Sequence, residues 1–261
     1  MRWLAPLAFA ALLAGCSLPT LEGRTKSSAL PVAQVQDTAL GKAVASAMLP
    51  HPGLTGFHEL ADPREAFAAR MQLAQHAQRT LDVQYYIWRD DTTGHLLLEA
   101  LLAAAERGVR VRLLLDDNGI AQLDEELAAL DGHPNIEVRL FNPFVFRAFK
   151  PLGFITDFSR ANRRMHNKSF TADNAATIVG GRNIGDEYFG ATDGVLFADL
   201  DVLALGPVVE EVSTSFDAYW GSASAYPIAS IVAAPGEETL AAIRQREALI
   251  DRSAAAATYK A

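Results

Sequence analysis

Between residues 80 and 141 the chain alternates short β-branched and aromatic runs with helical ones, and that alternation limits its possible folds more than any other feature. "TLDVQYYIW" (80–88), "VRVRLLLDD" (109–117) and "NIEVRLF" (135–141) read as strands. "TGHLLLEALLAAAERG" (93–108), closed by Gly108, and "QLDEELAALDG" (122–132) read as the helices between them. Strands joined this way form βαβ crossovers. The expected fold class is α/β, a mostly parallel mixed sheet flanked by helices on both faces. A further helix is expected after Asp62, which caps it, with Pro63 at the first helical position and Glu65 three residues after the cap. At 261 residues, half of them hydrophobic, the chain can bury a core of this size.

The segment "MHNKSFTADNAATIVGGRN" (165–183) holds an extended run, an Asp-Asn turn, an apolar run and a glycine pair. In a strand, residues two apart share a face, so His166 and Lys168 project together while Asn167 and Ser169 point away. An imidazole and an ammonium are uncomfortable neighbours unless an anion lies between them. A phosphate suits both, because Lys supplies a compact charge and His can attack phosphorus or move protons. Gly180 and Gly181 would let the next turn approach such a ligand with no Cβ in the way, and Asn183 offers an amide donor there. "LFADLDVLALGP" (196–207) is a further strand, with Asp199 and Asp201 on one face. The net charge of −8 counts against nonspecific nucleic-acid binding, so nucleic acid is not an expected partner. Asp116 and Asp117 lack the further ligands a metal pair needs, and His58, His76, His95 and His133 sit in contexts that assign them no role.

Together these residues spell H-x-K-x4-D (His166, Lys168, Asp173) and then G-G-x-N (Gly180, Gly181, Asn183), which resembles the signature of the phospholipase D superfamily. The flanking text "LDVQYYIWRDDTTGHLLLEALLAAAERGVRVRLLLDD" and "GGRNIGDEYFG" is similar to the bacterial cardiolipin synthase branch, over roughly residues 50–225. The resemblance implies phosphatidyl transfer between phospholipids, or phospholipase D hydrolysis when water is the acceptor, through a phosphohistidine on His166. It implies no cofactor and no metal. Lys168 and Asn183 would bind phosphate oxygens beside Gly180 and Gly181. Asp199, with Asp201 as its substitute, would accept a hydrogen bond from the other ring nitrogen of the nucleophile. Asp173 completes the catalytic motif, but at the head of the turn its expected part is structural, fixing the hairpin. The family's reaction uses two histidines from two copies of the motif, and this chain holds one. It is therefore expected to be half of a longer enzyme, or a homodimer that brings two His166 side chains together. A homodimeric endonuclease and an inactive half-enzyme are the alternatives.

The N-terminal "MRWLAPLAFAALLAGCSLPT" has one Arg, an apolar run over residues 3–15 and the chain's only cysteine. That run falls short of the ~20 residues of a spanning helix and suits an export signal. Leu13, Ala14, Gly15 and Cys16 resemble the lipobox of bacterial lipoproteins. The expected organisation is a signal peptide over 1–15, a lipidated Cys16, a tether over 16–52, a catalytic half-domain over 53–225, and a helix and tail over 226–261 that would begin a second half. The expected location is the bacterial cell envelope, lipid-anchored, on the periplasmic face of the outer membrane, the choice of membrane resting on Ser17. The stretch 142–168 mixes phenylalanines with Arg147, Lys150, Arg160, Arg163, Arg164 and Lys168. It reads either as a surface for anionic lipid or as core aromatics under a basic rim.

Overall fold

A computed structural model of the chain describes residues 18–147, 150, 153, 155, 157–192, 194, 196–253, 256–257 and 259. The expected signal peptide and Cys16 lie outside the described residues. No helix among those described is long and apolar enough to cross a membrane.

In chain order the helices are α1 (Val32–Val35), α2 (Ala39–Met48), α3 (Pro63–His76), α4 (Thr92–Glu106), α5 (Asp124–Asp131), α6 (Phe158–Ala161), α7 (Asp186–Phe189), α8 (Val208–Trp220) and α9 (Glu237–Asp251). The strands are β1 (Gly56–Leu60), β2 (Thr80–Tyr85), β3 (Arg110–Asp116), β4 (Ile136–Phe141), β5 (Ser169–Ala172), β6 (Ala176–Gly180), β7 (Asp201–Leu205) and β8 (Ala225–Pro227). Asp62 caps α3 as its sequence predicts, accepting from the backbone N–H groups of Arg64 and Glu65.

The strands form one sheet in the order β1-β7-β6-β5-β2-β3-β4-β8. The α/β class stands, but the sheet is not mostly parallel: only β2, β3 and β4 run parallel, and the pairs on either side are antiparallel. For one of these pairs, β5 with β6, the reason is local. Asp173 and Asn174 both adopt positive φ, 52° and 49°, which turns β5 straight back onto β6 as a hairpin. Such a hairpin can only be antiparallel.

The two faces of the sheet differ in chemistry. Leu81, Val83, Tyr85, Val111, Leu113, Leu115, Val138 and Leu140 point to one face and form the main core with Phe67, Leu96, Leu97, Leu101 and Leu127 from α3, α4 and α5. The alternate positions carry charge. Arg112 donates to both carboxylate oxygens of Asp82 (2.6 and 2.8 Å) and pairs with Asp217 of α8 at 2.7 Å. Arg139 stacks over Trp220 at 4.0 Å and donates to its carbonyl.

The chain from Arg24 to Leu30 covers this charged face, so the expected tether is a docked strap over that stretch. Arg24 donates to the carbonyls of Gly221, Ser222 and Ala225. The carbonyls of Thr25, Ser27 and Ser28 accept from Arg139, Arg112 and Arg110, and that of Leu30 accepts from Asn174. Buried guanidinium groups need acceptors for their N–H groups, and the strap's backbone supplies one to each of these three arginines. Its Ser- and Thr-rich side chains therefore give no sign of docking.

His95 also departs from its expected lack of role. It is buried between Glu126 (2.8 Å) and Asp90 (2.7 Å), and Arg246 of α9 pairs with both carboxylates. Burial works against its protonation, but the two carboxylates outweigh that and raise its pKa above the ordinary histidine value.

Candidate active site

β2 and β3 end, β5 and β7 begin, and β6 ends at the same edge of the sheet, so the residues singled out by sequence arrive there from several strands. His166 and Lys168 lie in the extended segment that leads into β5, which itself begins one residue later, at Ser169. The period-two argument holds in this segment. Lys168 Nζ lies 3.2 Å from His166 Nδ1 and donates to the His166 carbonyl at 2.8 Å. The imidazole is exposed and the Lys168 side chain is buried beneath it. Burial pulls the Lys168 pKa down, and the carboxylates of Asp199 and Asp201 work against that shift. An ammonium has no lone pair to offer, so it donates to Nδ1, which leaves the proton of a neutral His166 on Nε2.

The approach to His166 is set by residues the motif does not contain. Asp116, at the end of β3, accepts from the Met165 backbone N–H (2.7 Å), from Arg164 (3.0 Å) and from the Asn118 backbone N–H (2.9 Å). Asp117 accepts from the Phe144 N–H (2.7 Å), Arg147 (2.5 Å) and Lys150 (3.1 Å). The aspartate pair thus anchors the long loop and the segment that carries His166. Most of the loop's cations are paired: besides these, Arg160 pairs with Asp157 and Arg164 lies 4.8 Å over the buried Phe144 ring, while Arg163 is exposed. Phe158 and Ile155 remain exposed, while Phe149 and Phe154 lie outside the described residues.

The other predicted residues are placed as follows. Asp173 sits at the far end of β5, five residues and about 17 Å of strand from Lys168. Its buried carboxylate accepts from the backbone N–H groups of Gln78, Arg79 and Thr80, joining the hairpin to the start of β2. Gly180 and Gly181 are packed against the chain itself: a Cβ at Gly180 would overlap Asp201 and the Leu200 carbonyl, and one at Gly181 would overlap the Asp199 carboxylate. Asp199 is half-buried, accepts from the Leu200 N–H at 2.9 Å and makes no hydrogen bond to His166. Asp201 is fully buried and pairs with Arg70 (2.7 Å) and Arg182 (3.6 Å), so it belongs to the core. Asn183 accepts from the Ile87 N–H (3.0 Å) and donates to the Tyr188 hydroxyl (3.1 Å), which leaves one amide N–H uncommitted.

Sequence reading missed Tyr86. Its ring lies 4.6 Å from the His166 imidazole. The available signal was position, the first residue past the carboxyl end of a parallel strand, where open α/β sheets place their ligands.

Comparison with known proteins shows the family and the fold. Residues 71–220 match the family described as cardiolipin synthase, PLD-like domain. The chain is 61% identical to cardiolipin synthase C of Escherichia coli K12 over 199 residues, 75% of this chain and 42% of that protein. It is 30% identical to a cardiolipin synthase of Oceanobacillus iheyensis over 62% of this chain and 32% of that protein. The chain thus spans less than half the length of these relatives. Among solved structures, the phosphatidylserine synthase of Haemophilus influenzae shares the fold with a TM-score of 0.52 at 15% identity, covering 81% of this chain and 47% of that one. The chain belongs to the cardiolipin synthase family of phospholipase D-like domains.

Proposed function

We propose that this chain supplies one half of a phosphatidyl-transfer site, with His166 as nucleophile and a phospholipid as substrate. The observation that carries the reading is an exposed imidazole held 3.2 Å from a buried ammonium at the convergent edge of the sheet. The phosphate anion takes the Lys168 ammonium away from Nδ1, which can then receive the proton. Asp199, whose charge already acts on Lys168, is the carboxylate proposed to hold that proton, leaving Nε2 with a free pair. Nε2 attacks phosphorus, a P–N bond forms, and the P–O bond to the departing alcohol breaks. A second imidazole, from a partner copy or a second half, protonates the leaving oxygen and then takes the proton of the acceptor hydroxyl as that oxygen displaces His166. Lys168 and the free N–H of Asn183 hold the phosphate oxygens, and Asp173 keeps the hairpin in place.

Incubation with phosphatidylglycerol tests the reading, with phosphohistidine trapped by detergent denaturation at alkaline pH and product lipid as readouts. The wild-type chain, alone or supplied with a second motif, forms both, and His166→Ala lowers both by at least ~10³-fold. Turnover that survives His166→Ala, or cleavage of DNA with lipid spared, overturns it. We also propose attachment to the bacterial envelope through a lipidated Cys16, on the strength of the lipobox resemblance. Radiolabelled palmitate incorporated into the wild type and absent from Cys16→Ser is the expected result.

A further inference from the structure

Tyr86 stands one residue past β2, and no step of the proposed chemistry uses it. Its ring is tilted by 38° against the His166 imidazole at 4.6 Å between centroids, and the Lys168 ammonium lies 5.8 Å from the centre of the same ring. The ring is itself held. Asn118 Nδ2 donates to its hydroxyl at 3.2 Å, and the Tyr86 carbonyl comes so close to Gly119 that a Cβ there would overlap it. The backbone N–H of Asn118 donates to Asp116, whose other oxygen accepts from the Met165 N–H. One turn after β3 thus fixes the aromatic ring and, through the same aspartate, the segment that carries His166.

We infer that Tyr86 is a positioning residue for His166: its ring backs the exposed imidazole and holds it in the plane from which Nδ1 meets Lys168. An exposed histidine rotates about χ2 between two broad orientations, which exchange Nδ1 with the Cδ2 edge. The tilted aromatic ring restricts the plane of the imidazole, and of the two flips that plane allows, only one presents a nitrogen to the Lys168 ammonium. The negative face of the same ring attracts the Lys168 ammonium, so imidazole and cation share one platform and stay paired without a ligand. The Lys168 contact then selects the tautomer with the proton on Nε2. The consequence for catalysis rests on the reading of His166 as nucleophile; the effect on the imidazole does not.

The test is NMR of the whole chain with isotope-labelled histidine. In the wild type, His166 ring protons are displaced upfield by the tyrosine ring current, and the nitrogen shifts report the Nε2-protonated tautomer. Tyr86→Phe keeps both signatures. Tyr86→Leu loses the displacement and gives a mixture of tautomers, while the resonances of the other histidines stay put. Inorganic phosphate titrated against the His166 signals binds ~10-fold more weakly to Tyr86→Leu and within about twofold of wild type to Tyr86→Phe. Wild-type ring shifts and a single tautomer in Tyr86→Leu overturn the inference. If that variant does not fold, Tyr86→Met decides, because it keeps the bulk and removes the aromatic face: a tautomer mixture supports the inference, and an unchanged single tautomer overturns it. In a preparation that turns over phosphatidylglycerol, Tyr86→Leu lowers kcat ~10-fold or more with little change in KM, and phenylalanine restores it. His166→Ala in the same preparation judges the nucleophile reading separately, since its failure leaves the NMR result intact.

Discussion

Gly180 and Gly181 separate two kinds of close approach that a glycine pair in a sequence cannot distinguish. At Gly180 the obstacles to a Cβ are the Asp201 carboxylate, locked by Arg70 and Arg182, and backbone, the Asp201 Cα and the Leu200 carbonyl, none of which can swing aside; at Gly181 it is the Asp199 carboxylate, which can. Gly180→Ala is therefore expected to cost about 1–3 kcal/mol in urea unfolding, and Gly181→Ala clearly less. The reverse order would show that the 199–201 segment is looser than its packing implies. Asp173→Ala strands the N–H groups of Gln78, Arg79 and Thr80 at a buried carboxylate's place, with an expected loss of about 3 kcal/mol. A loss below ~1 kcal/mol would mean water replaces the carboxylate there. The pairing of His166 with Lys168 was legible from spacing, because a period of two is a property of any extended backbone. The contact with Tyr86 was not, because it joins positions 80 residues apart through the sheet.

Asp91 shows an element under competing demands. It caps α4 through the Gly94 N–H (3.0 Å) and also accepts from the Asp186 N–H (2.7 Å). Burial pushes its carboxyl from the ordinary 3.8 up to about 6; those two N–H groups pull it down, and the charges of Asp186 and Glu187 add to the rise. The folded chain then holds this proton more tightly than the unfolded chain. Its contribution is fully present below about pH 4 and is lost as the pH rises to about 6, by up to ~3 kcal/mol. Asp91→Asn keeps an acceptor for Gly94 and carries no charge, so the fall in urea-measured stability between pH 4 and 6 should flatten. An unchanged slope would place the pH dependence elsewhere. The helices and strands between residues 62 and 141 follow from caps and periodicity written locally. The antiparallel wings and the strap depend on partners, the strap most of all, since its carbonyls bind the sheet and carbonyls have no sequence signature.

At the scale of the molecule, α9 is attached to the body through Arg246, which lies across Asp90 and Glu126 with His95 between them. Arg246 also lowers the His95 pKa by its charge. Arg246→Ala should therefore raise the His95 titration midpoint measured by NMR and speed amide exchange in α9, with about 1–2 kcal/mol lost from that helix's protection. An unmoved midpoint would show that the arginine is solvated and that the helix is held by other contacts. His95 gains its partners only when α4, α5 and α9 pack together, which is why its sequence context assigned it nothing.

Taken by itself, the sequence determined the α/β class, the capped helices and the juxtaposition of His166 with Lys168, because each depends on backbone periodicity or on residues within a few positions of one another. Only the tertiary structure decided the antiparallel wings, the docked strap, the pairing of Arg147, Lys150 and Arg164 with the Asp116–Asp117 pair, and the aromatic wall behind His166. Those arise where distant segments must satisfy buried charges and N–H groups, and the partners that satisfy them are chosen by the packed sheet.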